Sequence, residues 1–93
     1  MALLDLIWES EAQSQLGDAL AYISKSNQAA AQRLKNLIDE RLEQTRTFSA
    51  VGRPGRVSGT RELIVHPNYV VIYQITDTAI DVIRVLHARQ RYP

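Results

Sequence analysis

Residues 29–45, AAAQRLKNLIDERLEQT, constrain this chain more than any other stretch. They are dominated by strong helix formers and place Leu34, Leu37, Ile38 and Leu42 on one face at helical spacing. The segment before them carries a second such pattern, with Ala12, Leu16, Ala19, Leu20 and Ile23 on one stripe. Ser10 reads as its N-cap, with Gln13 three residues on as in a capping box. Gly17, inside that helix, reads as a close packing contact, because glycine there costs about 1 kcal/mol relative to alanine. Lys25-Ser26-Asn27 is all that separates the two patterns, and Asn27 is placed to cap the second helix. Two helices joined so tightly lie antiparallel as a hairpin. Neither stripe is wide enough for burial on all sides. The pair needs a sheet to cover.

The remaining segments supply one. Ala2–Trp8 (ALLDLIW) is a short apolar strand pattern. Ser49–Gly59 (SAVGRPGRVSG) holds three of the four glycines and reads as a loop. Three strand-like segments follow it: Thr60–His66, alternating around Leu63 and Val65, then Asn68–Thr76, then Ala79–His87. The turns at Pro67-Asn68 and Asp77-Thr78 make these an antiparallel meander. The predicted order is β-α-α-β-β-β, an α+β domain over residues 1–93 with the helical hairpin on one face of an antiparallel sheet. Strand periodicity sets Tyr69, Val71, Tyr73 and Ile75 on one face and Val70, Ile72 and Gln74 on the other. It groups Arg84 with Val82 and Leu86, and His87 with Ile83 and Val85. Trp8, Tyr69 and Tyr73 read as packing residues.

Composition excludes several chemistries. The chain has no cysteine, hence no disulfide framework, thiolate nucleophile or cysteine-ligated metal. Its N-terminal apolar run is too short for a signal or a span, which predicts a soluble, cytoplasmic protein. No phosphate loop, metal-ligand spacing or nucleophile elbow is present, so no cofactor or metal is expected. The charges are unevenly divided. Residues 1–45 carry four Lys/Arg against seven acids, and residues 46–93 carry seven arginines against three acids. Arginine suits bidentate contacts to phosphate or carboxylate, so the second half favours an anionic partner.

The candidate functional residues lie in that half. Arg61 and Arg84 sit inside strands. Each either holds a cation on the open face of the sheet, or lays its stem on apolar neighbours with its head paired to Glu62 or Asp81. His87 is a possible general acid or base at a strand end, or a structural histidine. Tyr92 has the chemistry to stack on a base or donate a hydrogen bond. Arg53 and Arg56 lie in the glycine-rich loop. Arg89 and Arg91 follow His87 with matching parity and form a basic row with it if the strand stays extended.

The order of elements, the segment GRPGRVSGTRELIV, the following NYVVIYQI and the ending VIRVLHARQRYP together resemble the RelE/ParE toxins of type II toxin–antitoxin systems. The match runs along essentially the whole chain. The resemblance implies a toxin that arrests bacterial growth and is neutralised in a hetero-oligomer by an antitoxin laying an extended or helical segment over it. It implies one of two targets. RelE-like members cut mRNA on the ribosome, which would make Arg61, Arg84, His87 and Tyr92 catalytic. ParE-like members inhibit DNA gyrase, which would make Arg53, Arg56, Arg84, Arg89 and Arg91 target-binding. Where RelE-like nucleases hold an arginine after Tyr69, this chain has Val70, and their lysines on the preceding strand have no counterpart beside Arg61. The helical hairpin is closer to the ParE branch, which favours gyrase. A third possibility is a non-toxic basic module that docks an acidic antitoxin.

Overall fold

The computed structural model describes residues 3–89. The chain enters as β1 (Asp5–Trp8) and passes through α1 (Ser10–Ser24) and α2 (Gln28–Thr45). After a 3-10 turn at Ser49–Val51 come β2 (Arg53–Pro54), β3 (Thr60–His66), β4 (Tyr69–Ile75) and β5 (Ala79–His87). The predicted strand start at Ala2 lies outside the described residues. No helix among them is long and apolar enough to cross a membrane.

The α+β architecture and the helical hairpin are as expected. Asn27 caps α2, its Oδ1 accepting from the Ala30 N–H at 2.9 Å, a bond worth about 1 kcal/mol. The start of α1 differs from expectation. Glu9 occupies the cap position without a side-chain bond, Ser10 is already helical, and Gln13 Nε2 donates to the Trp8 carbonyl at 3.3 Å. The sheet decides this, because the Glu9 N–H donates to the Val82 carbonyl at 2.9 Å and holds Glu9 extended. Gly17 is exposed, and a Cβ there would meet nothing within 4 Å, so it marks no close contact.

The sheet has five strands in the order β1-β5-β4-β3-β2, one more than the sequence suggests. The extra strand is β2, inside the glycine-rich segment, pairing Arg53 with Glu62 and Pro54 with Arg61. Gly59, at φ +85°, closes this hairpin in the left-handed region that glycine tolerates best. The sheet is also not wholly antiparallel. β1 pairs in parallel with β5, from Asp5↔Ala79 to Trp8↔Val82. α1 continues the direction of β1 alongside β5, and α2 returns the chain to the start of β1, where Arg46 meets Leu4. The meander that follows therefore ends with β5 parallel to β1.

Beyond Val82, α1 takes over from β1 as the neighbour of β5. The contacts advance together: Glu9 to Val82, Glu11 to Arg84, and Gln15 Oε1 accepting the Val85 N–H at 2.8 Å. Where the neighbour changes, β5 bulges. Ile72 pairs with Arg84 and Tyr73 with Val82, leaving Ile83 unmatched. The extra residue shifts the faces by one. Val82 and Val85 both enter the core, His87 joins their face, and Arg84 keeps Leu86 but loses Val82.

Ala12, Leu34, Ile38 and Leu42 of the helices meet Leu63, Val65, Val71, Tyr73, Ile80, Val82 and Val85 of the sheet in one core. Trp8 and Tyr69 pack at its border, as the sequence suggests. Tyr73 is fully buried. The helix-free face is also apolar in its middle, where Ile72 and Leu86 are buried.

Candidate functional site

Three surfaces are built on this frame. The first is concave and lies where the N-terminal half of α2 crosses the end of the sheet. Turn Pro67-Asn68 sets His66 beside Tyr69, ring centroids 6.2 Å apart. Strand pairing sets Tyr69 opposite His87, and their rings meet edge to face at 5.4 Å. Both imidazoles have a defined orientation: Nδ1 of His66 accepts the Asn68 N–H at 3.0 Å, and Nδ1 of His87 accepts the Arg89 N–H at 3.2 Å. Tyr22 of α1, 74% exposed, stands between two adjoining grooves of about 530 and 520 Å³. Both grooves are lined by Tyr22, Tyr69 and His87. Ile23, Leu34 and Leu37 give the larger one an apolar floor, with Arg33 at its margin.

The second surface is a small hollow of about 70 Å³, lined by Arg53, Arg56, Glu62, Val70, Ile72, Leu86, His87 and Ala88. Arg53 Nε donates to Glu62 Oε1 at 2.9 Å, and the Glu62 side chain is only 12% exposed. Ligand pockets usually run from about 300 Å³ upward. The hollow is a shallow seat for a functional group, well short of a nucleotide.

The third surface is the segment from Phe48 to Val57. Tyr73 reaches up from β4, its hydroxyl donating to the Ser49 carbonyl at 2.7 Å and accepting from the Gly52 N–H at 2.9 Å. Burial pushes the Tyr73 phenol above its ordinary value, while the Gly52 hydrogen bond and the Arg61 charge pull it back in part. The phenol therefore stays a neutral donor at physiological pH.

These positions sort the residues expected from sequence. Arg61 donates to the carbonyls of Gly52 at 2.7 Å and Ala50 at 3.2 Å, so its head braces the 3-10 turn. Arg84 lies 3.3 Å from Glu11 and donates to the Ile83 carbonyl at 2.6 Å. Its acidic partner comes from α1, which took over the edge of β5, and is neither Glu62 nor Asp81. Arg53, Arg56 and His87 share the hollow; Arg84 and His87 do not come together. The extended row from His87 to Arg89 does not form, because β5 ends at His87 and the chain turns at Ala88 and Arg89. Arg91 and Tyr92 lie outside the described residues. Tyr22, His66, Arg33 and Glu62 were not anticipated as site residues. The pairing of Tyr69 with both histidines was within reach, since a turn at Pro67-Asn68 aligns His66, Tyr69 and the end of the last strand.

The comparisons with known proteins bear on this directly. Residues 6–92 match the family model described as the ParE toxin of the type II toxin–antitoxin system parDE. This chain belongs to the ParE toxin family. It is 33% identical over 87 residues to a Sinorhizobium fredii protein described as "Putative toxin Y4kP", covering 92% of this chain and 90% of that one. The same fold occurs in the chromosomal ParDE system from P. aeruginosa, with a TM-score of 0.77 at 19% identity, over 91% of this toxin and 96% of that chain. It occurs also in the YoeB dimer from Staphylococcus aureus, with a TM-score of 0.66 at 13% identity, over 98% of this toxin and all of that chain. The E. coli DinJ–YafQ toxin–antitoxin complex shares it as well, with a TM-score of 0.62 at 17% identity, over 92% of this toxin and 93% of that chain. The toxin is thus a member of the wider RelE/ParE superfamily, as its motifs suggest.

Proposed function

We propose that this toxin arrests growth by docking on DNA gyrase, and that its cognate antitoxin neutralises it by seating a segment in the groove around Tyr22. One observation carries the first half. The two strand arginines that a nuclease would need are occupied with the fold, Arg61 on two carbonyls and Arg84 on Glu11 and a carbonyl. On the strand between theirs, Val70, paired with Ile64 and Leu86, stands where RelE-like nucleases hold a cation. Losing one preorganised donor to a developing anion costs about 2.7–4 kcal/mol of transition-state stabilisation, roughly a hundred- to a thousandfold in rate. An apolar groove of about 530 Å³ supports the antitoxin half, because it suits the anchor residues of an amphipathic helix or strand. Purified gyrase titrated with the toxin tests the reading: supercoiling should fall with dose and recover on adding antitoxin. Supercoiling unaffected at toxin excess removes it.

A second reading is ribosome-dependent mRNA cleavage, and the hollow on the helix-free face is the observation that favours it. Glu62, His87, Arg53 and Arg56 are the groups that acid–base cleavage of RNA uses. Glu62 would take the proton of the attacking 2′-hydroxyl and the arginines would hold the phosphorane. His87, whose ring packs on Tyr69 at the strand end, would have to swing to the hollow's rim to protonate the leaving 5′-oxygen. Cleavage of mRNA on programmed ribosomes that is lost in Glu62→Gln would establish it. Normal growth on induction without antitoxin would leave only a non-toxic antitoxin-binding module.

A further inference from the structure

We propose that the turn from Phe48 to Val57 is the surface with which the toxin grips its target, a folded protein presenting an apolar pocket rimmed by carboxylates. The proposal rests on the reading that the chain is a toxin acting by docking, and it names the docking surface.

Display of apolar groups is the first support. The chain's one phenylalanine, Phe48, is 66% exposed, Val51 is 57% exposed and Val57 is 37% exposed. Single exposed hydrophobics are ordinary. Three within ten residues, one of them the sole phenylalanine, concentrate exposed apolar side chains on this segment.

Rigidity is the second. Of the turn's backbone, the Ser49 carbonyl and Gly52 N–H bond to Tyr73, and the Ala50 and Gly52 carbonyls bond to Arg61. The Phe48 and Val51 N–H groups bond back to the carbonyls of Gln44 and Phe48. A buried tyrosine and a half-buried arginine thus hold fixed a segment whose Phe48 and Val51 side chains point to solvent. A fixed anchor loses little conformational freedom on binding, which favours association.

Charge identifies the partner. Arg53, its Nε on Glu62 but its side chain 61% exposed, and the exposed Arg56 follow Val51 in the same segment. An aromatic anchor with arginines at its side is the composition of energetic centres in protein interfaces. Carboxylates on the partner would meet them. Nucleic acid fits less well, because Val51 and Val57 offer no ring on which a base can stack.

Shape and place separate this surface from the groove. From Ala30 or Arg33, at the groove, to Thr45, just before the turn, α2 runs roughly 20 Å. A peptide-like antitoxin needs a trough. A knob of exposed side chains needs a pocket on a structured partner.

The test is the double variant Phe48→Ser/Val51→Ser in the full chain, checked by circular dichroism and thermal melting. Colony formation on induction should rise at least about tenfold over wild type, as for loss of a hot spot. Affinity for the purified antitoxin should stay within about threefold. Arg56→Glu, at an exposed side chain, should shift toxicity the same way to a smaller extent. Undiminished toxicity in both variants overturns the proposal. So does a matching loss of antitoxin affinity, which would assign the turn to the antitoxin. So does a loss confined to ribosome-dependent mRNA cleavage, which would make the turn a nucleic-acid contact. If wild-type toxin leaves purified gyrase unaffected but the double variant still abolishes growth arrest, the docking surface stands and the gyrase reading falls.

Discussion

The two ends of α2 hold their surroundings in opposite ways. At its N-terminal end, side chains line a trough: Tyr22, Tyr69 and the histidines surround an apolar floor. The backbone around it is tied by the Asn27 cap, by the turns at His66 and His87, and by the Ala88 N–H donating to the Asn68 carbonyl at 2.7 Å, while the groove walls themselves are side chains. At its C-terminal end the backbone itself is gripped by Tyr73 and Arg61, and the side chains of Phe48 and Val51 are left outside. A trough lined by rotatable side chains can adapt to a segment laid into it. A turn held through its backbone can only be met by something already shaped to fit. One small domain thereby offers an adaptable surface and a fixed one, set apart by the length of a helix.

Substitutions at the fixed end should have the larger effects. A Cβ at Gly52 would lie 2.7 Å from the Tyr73 hydroxyl and 2.9 Å from the Glu62 carbonyl oxygen, both too close. Gly52→Val should therefore break the grip and destabilise the toxin by about 3 kcal/mol, read from chemical denaturation, through overpacking and lost hydrogen bonds. Antitoxin affinity of the folded fraction should persist, because the trough is untouched. Tyr73→Phe removes the hydroxyl alone and strands the Gly52 N–H and the Ser49 carbonyl. Its expected cost is about 2 kcal/mol.

The same variant changes the pH profile. Burial raises the Tyr73 pKa above its ordinary value near 10. Above that pH the unfolded phenol loses its proton while the folded one keeps it, so stability must fall as pH climbs from about 10 toward the folded value. Below pH 10 the contribution is fully present. Tyr73→Phe should abolish that part of the alkaline decline in denaturation curves recorded from pH 8 to 11. A smaller effect is expected at the other end of the helix. Asn27→Ala removes a single cap and should cost about 1 kcal/mol. If it cost more than Tyr73→Phe, the contrast between the two ends would be wrong.

Much of this was legible in the sequence, and the gaps have physical causes. Helical periodicity located both helices because each buries a single stripe, and Asn27 announced its cap. The meander was legible from β-branched and aromatic runs between turn residues. The glycine-rich segment concealed β2, since two residues have no periodicity to detect. The parallel pairing of β1 with β5 was hidden for another reason: α1 runs on in the direction of β1 alongside β5, which no local pattern marks. The bulge at Ile83 left no local mark, being caused by the handover from β1 to α1, a tertiary event. It changed which face His87 shares and took Arg84 to Glu11. Arg61 was recognisable as a strand cation, but its carbonyl partners belong to a turn whose position depends on Tyr73. Local patterns thus describe elements well and describe poorly what one element hands to another.

The claim that the two ends serve different partners is tested most directly by antitoxin affinity, measured side by side for Tyr22→Ala and Phe48→Ser/Val51→Ser. Both variants change exposed side chains and should melt with the wild type. The affinity should drop at least about tenfold for Tyr22→Ala and stay within about threefold for the double variant. Equal losses in the two, or a loss in the double variant alone, would contradict it.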